Sequence, residues 1–508
     1  MRPERRSTAE DRPKARLVGL GLLLLAACAR QPLEPDAPPE APPEAPTEPP
    51  TTPEGSVPEV ALPAAGRAPI GAGAVGPLRA LIDAGRAEPT AMRLLTPLCD
   101  DIGHRLAGSP GLERAVLWAE AALRAVPGAQ VRLEPVQVPV WRRGREQAWV
   151  TAPHPMALPM LGLGGSGGTP GLEAEVVLAV DVDSLGPEVA GKIVLFDVPM
   201  RGPEETTGVY RSIDAYGAAV GARGRGPQAA AKAGAVAALV RSVTTRSLST
   251  PHTGGTRFDP GVQPIPAAAI TTEHSAWLRR LIERGVPVRV RLEMEAETLP
   301  EALSHNVIAE LPGAERPDEI IVLAAHLDSW DVGQGAQDDG AGVAQAMAAL
   351  ALLAASPTPL ARTVRVVLFT NEENGLRGGV EYAAQHGGER HVAAIESDIG
   401  AGWPRAWSAT GSEAQLAWLR SAAAPVGLPV ESGGGGADIG PMLDHGVLIA
   451  ELLPDDSAYF DVHHTWADTL DKIDPVALQE GAVALAALAR ALSDAPPAPP
   501  AAPPAPAP

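Results

Sequence analysis

Cysteine is all but missing from this chain: Cys28 and Cys99 are the only two among 508 residues. If Cys28 is acylated, no intrachain disulfide can form, and stability has to come from packing. Cys99, in Pro97-Leu98-Cys99-Asp100, has no histidine partner suggested nearby and reads as a buried small hydrophobe rather than a nucleophile. Runs of Lys or Arg are absent beyond the extreme N-terminus, and the formal net charge is −20. That balance excludes a nucleic-acid-binding surface and attachment to anionic lipid through a basic patch. Small molecules, peptides or proteins are the partners it leaves. Hydrophobic residues make up 45% of the chain, enough for a large core shared between two folded units.

The N-terminal segment reads as an address rather than as part of the fold. Basic residues from Arg2 to Arg16 lead into the apolar stretch Leu17 to Ala27, too short to span a bilayer but suited to a signal sequence. It ends Leu25-Ala26-Ala27-Cys28, which resembles a bacterial lipobox whose cysteine becomes the lipidated first residue. Ala29 in the next position favours the outer membrane. The expected location is therefore outside the cytoplasm, either lipid-anchored or free in the periplasm or medium, with the anchor as the only membrane contact. Residues 28–70 are rich in Pro, Glu, Ala and Thr and read as a semi-extended tether; residues 495–508 form a Pro/Ala tail.

Between these ends, strands and helices alternate. Residues 71–150 read as the first part of one domain, with a helix at Gly111 to Val126 and a strand at Val131 to Val140. Residues 151–288 read as a separate small α/β insertion, with β-rich runs at Glu173 to Val180 and Lys192 to Asp197, a helix at Pro227 to Ala233 and a strand at Val236 to Val240. Over residues 289–494 the rhythm resumes, with strands at Ile320 to Ala325, Val364 to Phe369, Val392 to Glu396 and Val447 to Leu452. Helices fall at Ala341 to Ala355 and Leu376 to Gln385. The fold class is α/β: a mostly parallel, mixed sheet sandwiched by helices, carrying an inserted α/β domain. Gly162 to Gly168 matches a dinucleotide fingerprint and a nucleophile elbow by letters. Thr169-Pro170-Gly171 forbids the helix both need, so the segment reads as a flexible connection. Gly433 to Gly436 reads as a mobile loop.

Acidic and imidazole groups gather just past strand ends, where open α/β sheets build their sites. They occur in Ala325-His326-Leu327-Asp328, Gln337-Asp338-Asp339-Gly340, Asn371-Glu372-Glu373, Glu396-Ser397-Asp398 and His463-His464-Thr465-Trp466-Ala467-Asp468. Each alone is weak, since a lone His-x-Asp or Glu-Glu is usually a solvated loop. Together, His and carboxylate ligands without cysteine suit zinc or a similar divalent ion. Two dications bring a charge of about +4, which three carboxylates and one hydroxide would balance.

The string from His326 through Asp328 and Asp338 to Gly340 resembles the two-zinc aminopeptidase and carboxypeptidase family. Segments Val131 to Pro135, Leu239 to Val243, Ser249 to Gly254 and Glu396 to Asp398 extend the similarity over roughly Leu78 to Ala489. The insertion resembles a protease-associated domain. What the resemblance implies is a zinc exopeptidase fold with two Zn2+ ions, for which Co2+ or Mn2+ can substitute. His326 and Asp398 would ligate separate ions, Asp338 would bridge them, and Glu373 and His464 would complete the shells. Family spacing selects His464 over His463 and Asp338 over Asp339, with a cis peptide after the bridging Asp. Asp328 would orient the His326 ring. Glu372 would act as general base on the water between the ions. Asp468 either joins the site or caps a turn; His463 would line the substrate pocket, and Asp438 would approach it. The other histidines read as surface or packing residues.

The implied reaction is hydrolysis of dipeptides or other short unblocked peptides, by a homodimer. A broader aminopeptidase is the alternative, because the same metal centre serves both. A catalytically dead receptor of the same fold would have lost ligands, whereas all five and Glu372 are present here. Glutaminyl cyclase chemistry is disfavoured by the Glu372-Glu373 pair.

Overall fold

The computed structural model describes residues 70–203 and 211–500. The expected signal sequence, the lipobox and nearly all of the tether lie outside these residues, as does most of the Pro/Ala tail.

The main sheet has eight strands. From one edge to the other they are Gln130–Arg142, Glu297–Leu311, Arg362–Phe369, Arg316–His326, Arg390–Glu396, Ile449–Pro454, Pro404–Thr410 and Val430–Ser432. The central four run parallel, and the strands flanking them are antiparallel. Every residue of Arg362–Phe369 is buried, as expected of a strand covered on both faces. Its even-numbered members Val364, Val366 and Leu368 pack with helices Pro110–Arg124, Ala341–Ala354 and Pro475–Asp494. Val367 and Phe369 meet Tyr382 and Ala383 of helix Arg377–His386 on the opposite face.

Local chemistry starts the helices where they are observed. Ser109 accepts from Leu112 N–H ahead of Pro110. Ser412 and Gln415 form a reciprocal capping box, and Asp474 accepts from Val476 and Ala477 ahead of Pro475. Helix Pro475–Asp494 is long and apolar enough to cross a membrane, but 89% of that apolar window is buried among the other helices. Cys99 is buried as expected, and burial pushes its thiol up to about 12.

A second sheet also has eight strands, in the order Met156–Ala157, Glu146–Ala152, Arg289–Met294, Thr169–Ala179, Ile193–Phe196, Ala237–Arg241, Ala267–Ile270 and Met160–Gly162. Strands Glu146–Ala152 and Arg289–Met294 thus reach beyond the 151–288 segment and pair with it. The helix expected at Pro227 to Ala233 runs from Ser212 to Lys232. Gly217, Gly221, Gly224 and Gly226 lower helix propensity by about 1 kcal/mol each, which hides its first half from a reading by propensity. Tertiary contact overrides this: Ala222 and Ala230 are in the core with Phe196, and a Cβ at Gly226 would stand 3.0 Å from that ring. Gly162 to Gly168 is not a loose connection. A Cβ on Gly164 would fall 2.3 Å from the Trp330 ring, so the glycine allows the insertion to rest on the peptidase domain. No helix follows; Thr169 opens a strand.

Candidate metal centre

Parallel strands deliver the site. His326 ends the strand Arg316–His326, Glu372 and Glu373 follow the strand ending at Phe369, and Asp398 lies two residues past the strand ending at Glu396. Asp338 enters from the turn Ala336–Gly340. The carboxylate of Asp468 fixes that turn, accepting from the N–H groups of Ala336 (3.1 Å), Gln337 (2.7 Å) and Asp338 (3.2 Å). Asp468 therefore caps a turn. The peptide bond between Asp338 and Asp339 is cis.

The five candidate ligands converge in two groups. His326 Nε2 lies 3.2 Å from Asp338 Oδ1 and 3.0 Å from Asp398 Oδ1. His464 Nε2 lies 3.1 Å from Asp338 Oδ2 and 3.0 Å from Glu373 Oε2. Asp338 thus presents one oxygen to each group. His463 stacks on His464 with ring centroids 3.5 Å apart, and its Nε2 is 3.4 Å from Asp338 Oδ2. Unlike His464, His463 makes no close approach to Glu373.

Asp328 meets the His326 ring through its main chain and not, as expected, through its carboxylate. His326 Nδ1 donates to the main-chain oxygen of Asp328 at 3.0 Å, while the carboxylate is 3.7 Å away, too far for a hydrogen bond. That carboxylate instead accepts from the N–H of Glu372 (3.0 Å) and Glu373 (3.4 Å), holding the turn that carries both glutamates. Asp339, which sequence gave no role, accepts from His326 N–H (3.1 Å) and Gly342 N–H (2.9 Å) and so ties the strand end to the helix behind it.

The electrostatics of the bare side chains are those of a site built for cations. Burial, then neighbouring Asp398 and Glu373, push Glu372 well above the usual carboxylate range. Burial and Asp338 raise Glu373 to about 7. Asp338 goes the other way: burial opposes its ionisation, but His326 and His464 hold it well below that range. Asp338 Oδ2 is buried, and the polar atoms that close on it are the ring nitrogens of His463 and His464. A donor set of imidazole nitrogens and carboxylate oxygens, with no sulfur, fits zinc. The residues present therefore fit the ion that the sequence implies.

A cavity of about 990 Å3 opens onto these groups. Glu372, Glu373, Asp398 and Glu451 line its peptidase side, and Tyr216, Arg225 and Arg257 line the side made by the insertion. Gly434 to Gly436 and His463 reach it too, whereas Asp438 is fully buried and does not line it. Arg223 and Thr253, which contact His464 from the insertion, were not singled out by the sequence. Ser249 to Gly254 carried a resemblance signal without a chemical one.

Residues 306–489 match the model for peptidase family M28, and residues 165–278 match the PA domain. Carboxypeptidase Q of Bos taurus is 37% identical over 421 residues, 81% of this chain and 86% of that protein. The chain belongs to peptidase family M28. It is a zinc metallopeptidase, of the exopeptidase kind, with an inserted PA domain. Carboxypeptidase Q of Homo sapiens is 36% identical with the same coverage. Among solved M28 structures, the peptidase M28 precursor from Shewanella amazonensis SB2B matches with a TM-score of 0.78 at 37% identity, over 83% of this chain and 98% of that one. A zinc aminopeptidase from Bacillus subtilis shares the fold, with a TM-score of 0.59 at 21% identity over 80% of this chain and 97% of its own.

Proposed function

We propose that this M28 member is a two-zinc exopeptidase hydrolysing dipeptides and other short unblocked peptides. The observation that carries the reading is the pair of donor groups sharing Asp338. His326 and Asp398 would hold one ion, Glu373 and His464 the other, and Asp338 both. Bound zinc would acidify a water molecule and polarise the scissile carbonyl.

The protein's own part is positioning and proton transfer. Glu372 lines the cavity beside Glu373, and Asp328 fixes its main chain. Its carboxylate takes the proton from the attacking water and returns it to the departing amine. Raising that carboxyl's proton affinity by burial suits it to hold the proton between the two steps.

The charge pattern of the cavity favours a substrate with a free carboxylate. Arg225 and Arg257 are exposed on one wall and make no ion pair among the described residues. The C-terminal carboxylate of a short peptide matches that sign. Carboxypeptidase Q is the name of the relatives above, and we assign its direction to this chain. Comparing an N-acetyl dipeptide with a dipeptide amide tests that: amidation should abolish hydrolysis, while tolerance of the amide and loss on acetylation would establish the aminopeptidase alternative. Export through the N-terminal segment, with a lipid on Cys28, is part of the same proposal. Failure of Cys28→Ser to release protein from a membrane fraction would remove the anchor.

A further inference from the structure

The insertion does more than roof the cavity. Its loop around Thr253 makes a two-bond clasp with His464: Thr253 N–H donates to the His464 carbonyl at 3.0 Å, and His464 Nδ1 donates to the Thr253 carbonyl at 3.2 Å. A carbonyl oxygen can only accept, so a proton on Nδ1 makes this bond and leaves the Nε2 lone pair facing Asp338 and Glu373; Arg223 Nη1, which only donates, lies 3.3 Å from the same Nδ1 but closer, at 3.1 Å, to the Thr253 carbonyl. The clasp also holds His464 at φ +62°, a left-handed conformation that a side chain with a Cβ rarely adopts unaided.

The Thr253 carbonyl is itself held. Arg223, from helix Ser212–Lys232, is buried; its Nη1 donates to the same oxygen at 3.1 Å. Its Nη2 donates to Tyr216 Oη at 2.6 Å, and Tyr216 stacks on Phe460 of the peptidase domain with centroids 4.9 Å apart. Gly254 lets the guanidinium through, since a Cβ there would fall 2.2 Å from Arg223 Cζ. The next residue, Gly255, is against Glu373: its Cβ position is 3.4 Å from that residue's carbonyl oxygen. One short loop thus touches both residues of one donor group. The other histidine, His326, is oriented by the main chain of Asp328, within the peptidase domain itself.

We propose that the two ion sites are unequal in origin: Arg223 is a positioning residue through which the inserted domain, by way of Thr253, builds the Glu373 and His464 site, while the His326 and Asp398 site needs the peptidase domain alone. This rests on the two-zinc reading above. Partners that orient a ligand histidine typically govern metal affinity by about 10- to 100-fold.

The test is zinc titration of full-length, metal-stripped protein against a chromophoric chelator. Wild type should take up two ions. In Arg223→Met and Gly254→Ala, one ion should bind about 10- to 100-fold more weakly while the other stays within about threefold of wild type. Arg223→Lys, which can still donate to the Thr253 carbonyl, should recover most of the lost affinity. Arg279→Met, which removes an ion pair to Asp197 elsewhere in the insertion, should change neither site. The retained ion serves as the internal check on folding. Equal weakening of both ions, no weakening of either, or the same loss in Arg279→Met would overturn the inference. Wild type that binds fewer than two ions would instead overturn the reading beneath it.

Discussion

Replacing Asp328 by Asn separates the role seen in the structure from the one expected of it. The carboxylate is fully buried and accepts two main-chain N–H groups, from Glu372 at 3.0 Å and from Glu373 at 3.4 Å. Asparagine keeps one acceptor and turns an NH2 group toward the other donor, so one hydrogen bond to a charged acceptor is lost and a buried N–H is left unpaired. Such losses cost about 1–3 kcal/mol each, and together about 2–6 kcal/mol, a fall of several degrees in Tm. Because the turn carries both the proposed base and a proposed ligand, its relaxation should also lower kcat on a dipeptide by about 100-fold. Differential scanning calorimetry and steady-state kinetics on the same preparation measure both. A variant with wild-type Tm and kcat within twofold of wild type would refute the argument that this carboxylate holds the glutamate turn.

Glu372→Gln should lower kcat by about 100- to 10,000-fold while zinc content by elemental analysis stays at the wild-type level; loss of zinc would make Glu372 a ligand rather than a base. Arg362 is buried, pairs with Glu319 at 2.5 Å and donates to the carbonyls of Leu492, Ala495 and Pro496, so it fastens the end of the last helix to the sheet. Arg362→Ala should cost about 3–5 kcal/mol in urea denaturation, and a cost below about 1 kcal/mol would contradict that role. Burial, then Asp398 and Glu396, raise Glu451 to about 8. The folded state then keeps a proton that the unfolded chain releases, so stability falls as pH rises from the ordinary Glu range near 4.5 toward about 8. In Glu451→Gln the gain in Tm over wild type should be near zero at about pH 5 and largest above about pH 8; a gain independent of pH would remove Glu451 as the cause.

The catalytic half of the fold was legible because its strands are short β-rich runs and its acidic groups follow them directly: Ile320 to Ala325 ahead of His326, Val364 to Phe369 ahead of Glu372. The order of the strands was not legible, since hydrogen-bonded neighbours such as Gln130–Arg142 and Glu297–Leu311 are separated by the whole insertion. The turn at Asp338 carried a visible motif, but what fixes it is a carboxylate 130 residues further on, at Asp468. Asp328 was found by its spacing from His326, and spacing could not tell whether its carboxylate or its carbonyl faces the ring. Thr253 acts through its main chain, which no side-chain pattern reports. Helix Ser212–Lys232 was half missed because its glycines are retained for close packing, against Phe196 at Gly226, at the expense of propensity.

Two cations sharing Asp338 are the central proposal, and elemental analysis of purified protein, coupled to hydrolysis of an unblocked dipeptide before and after chelation, tests it most directly. Two zinc ions per chain, activity abolished by the chelator and restored by added zinc is the result predicted. Hydrolysis that survives complete removal of metal, or full activity with a single ion, would contradict it.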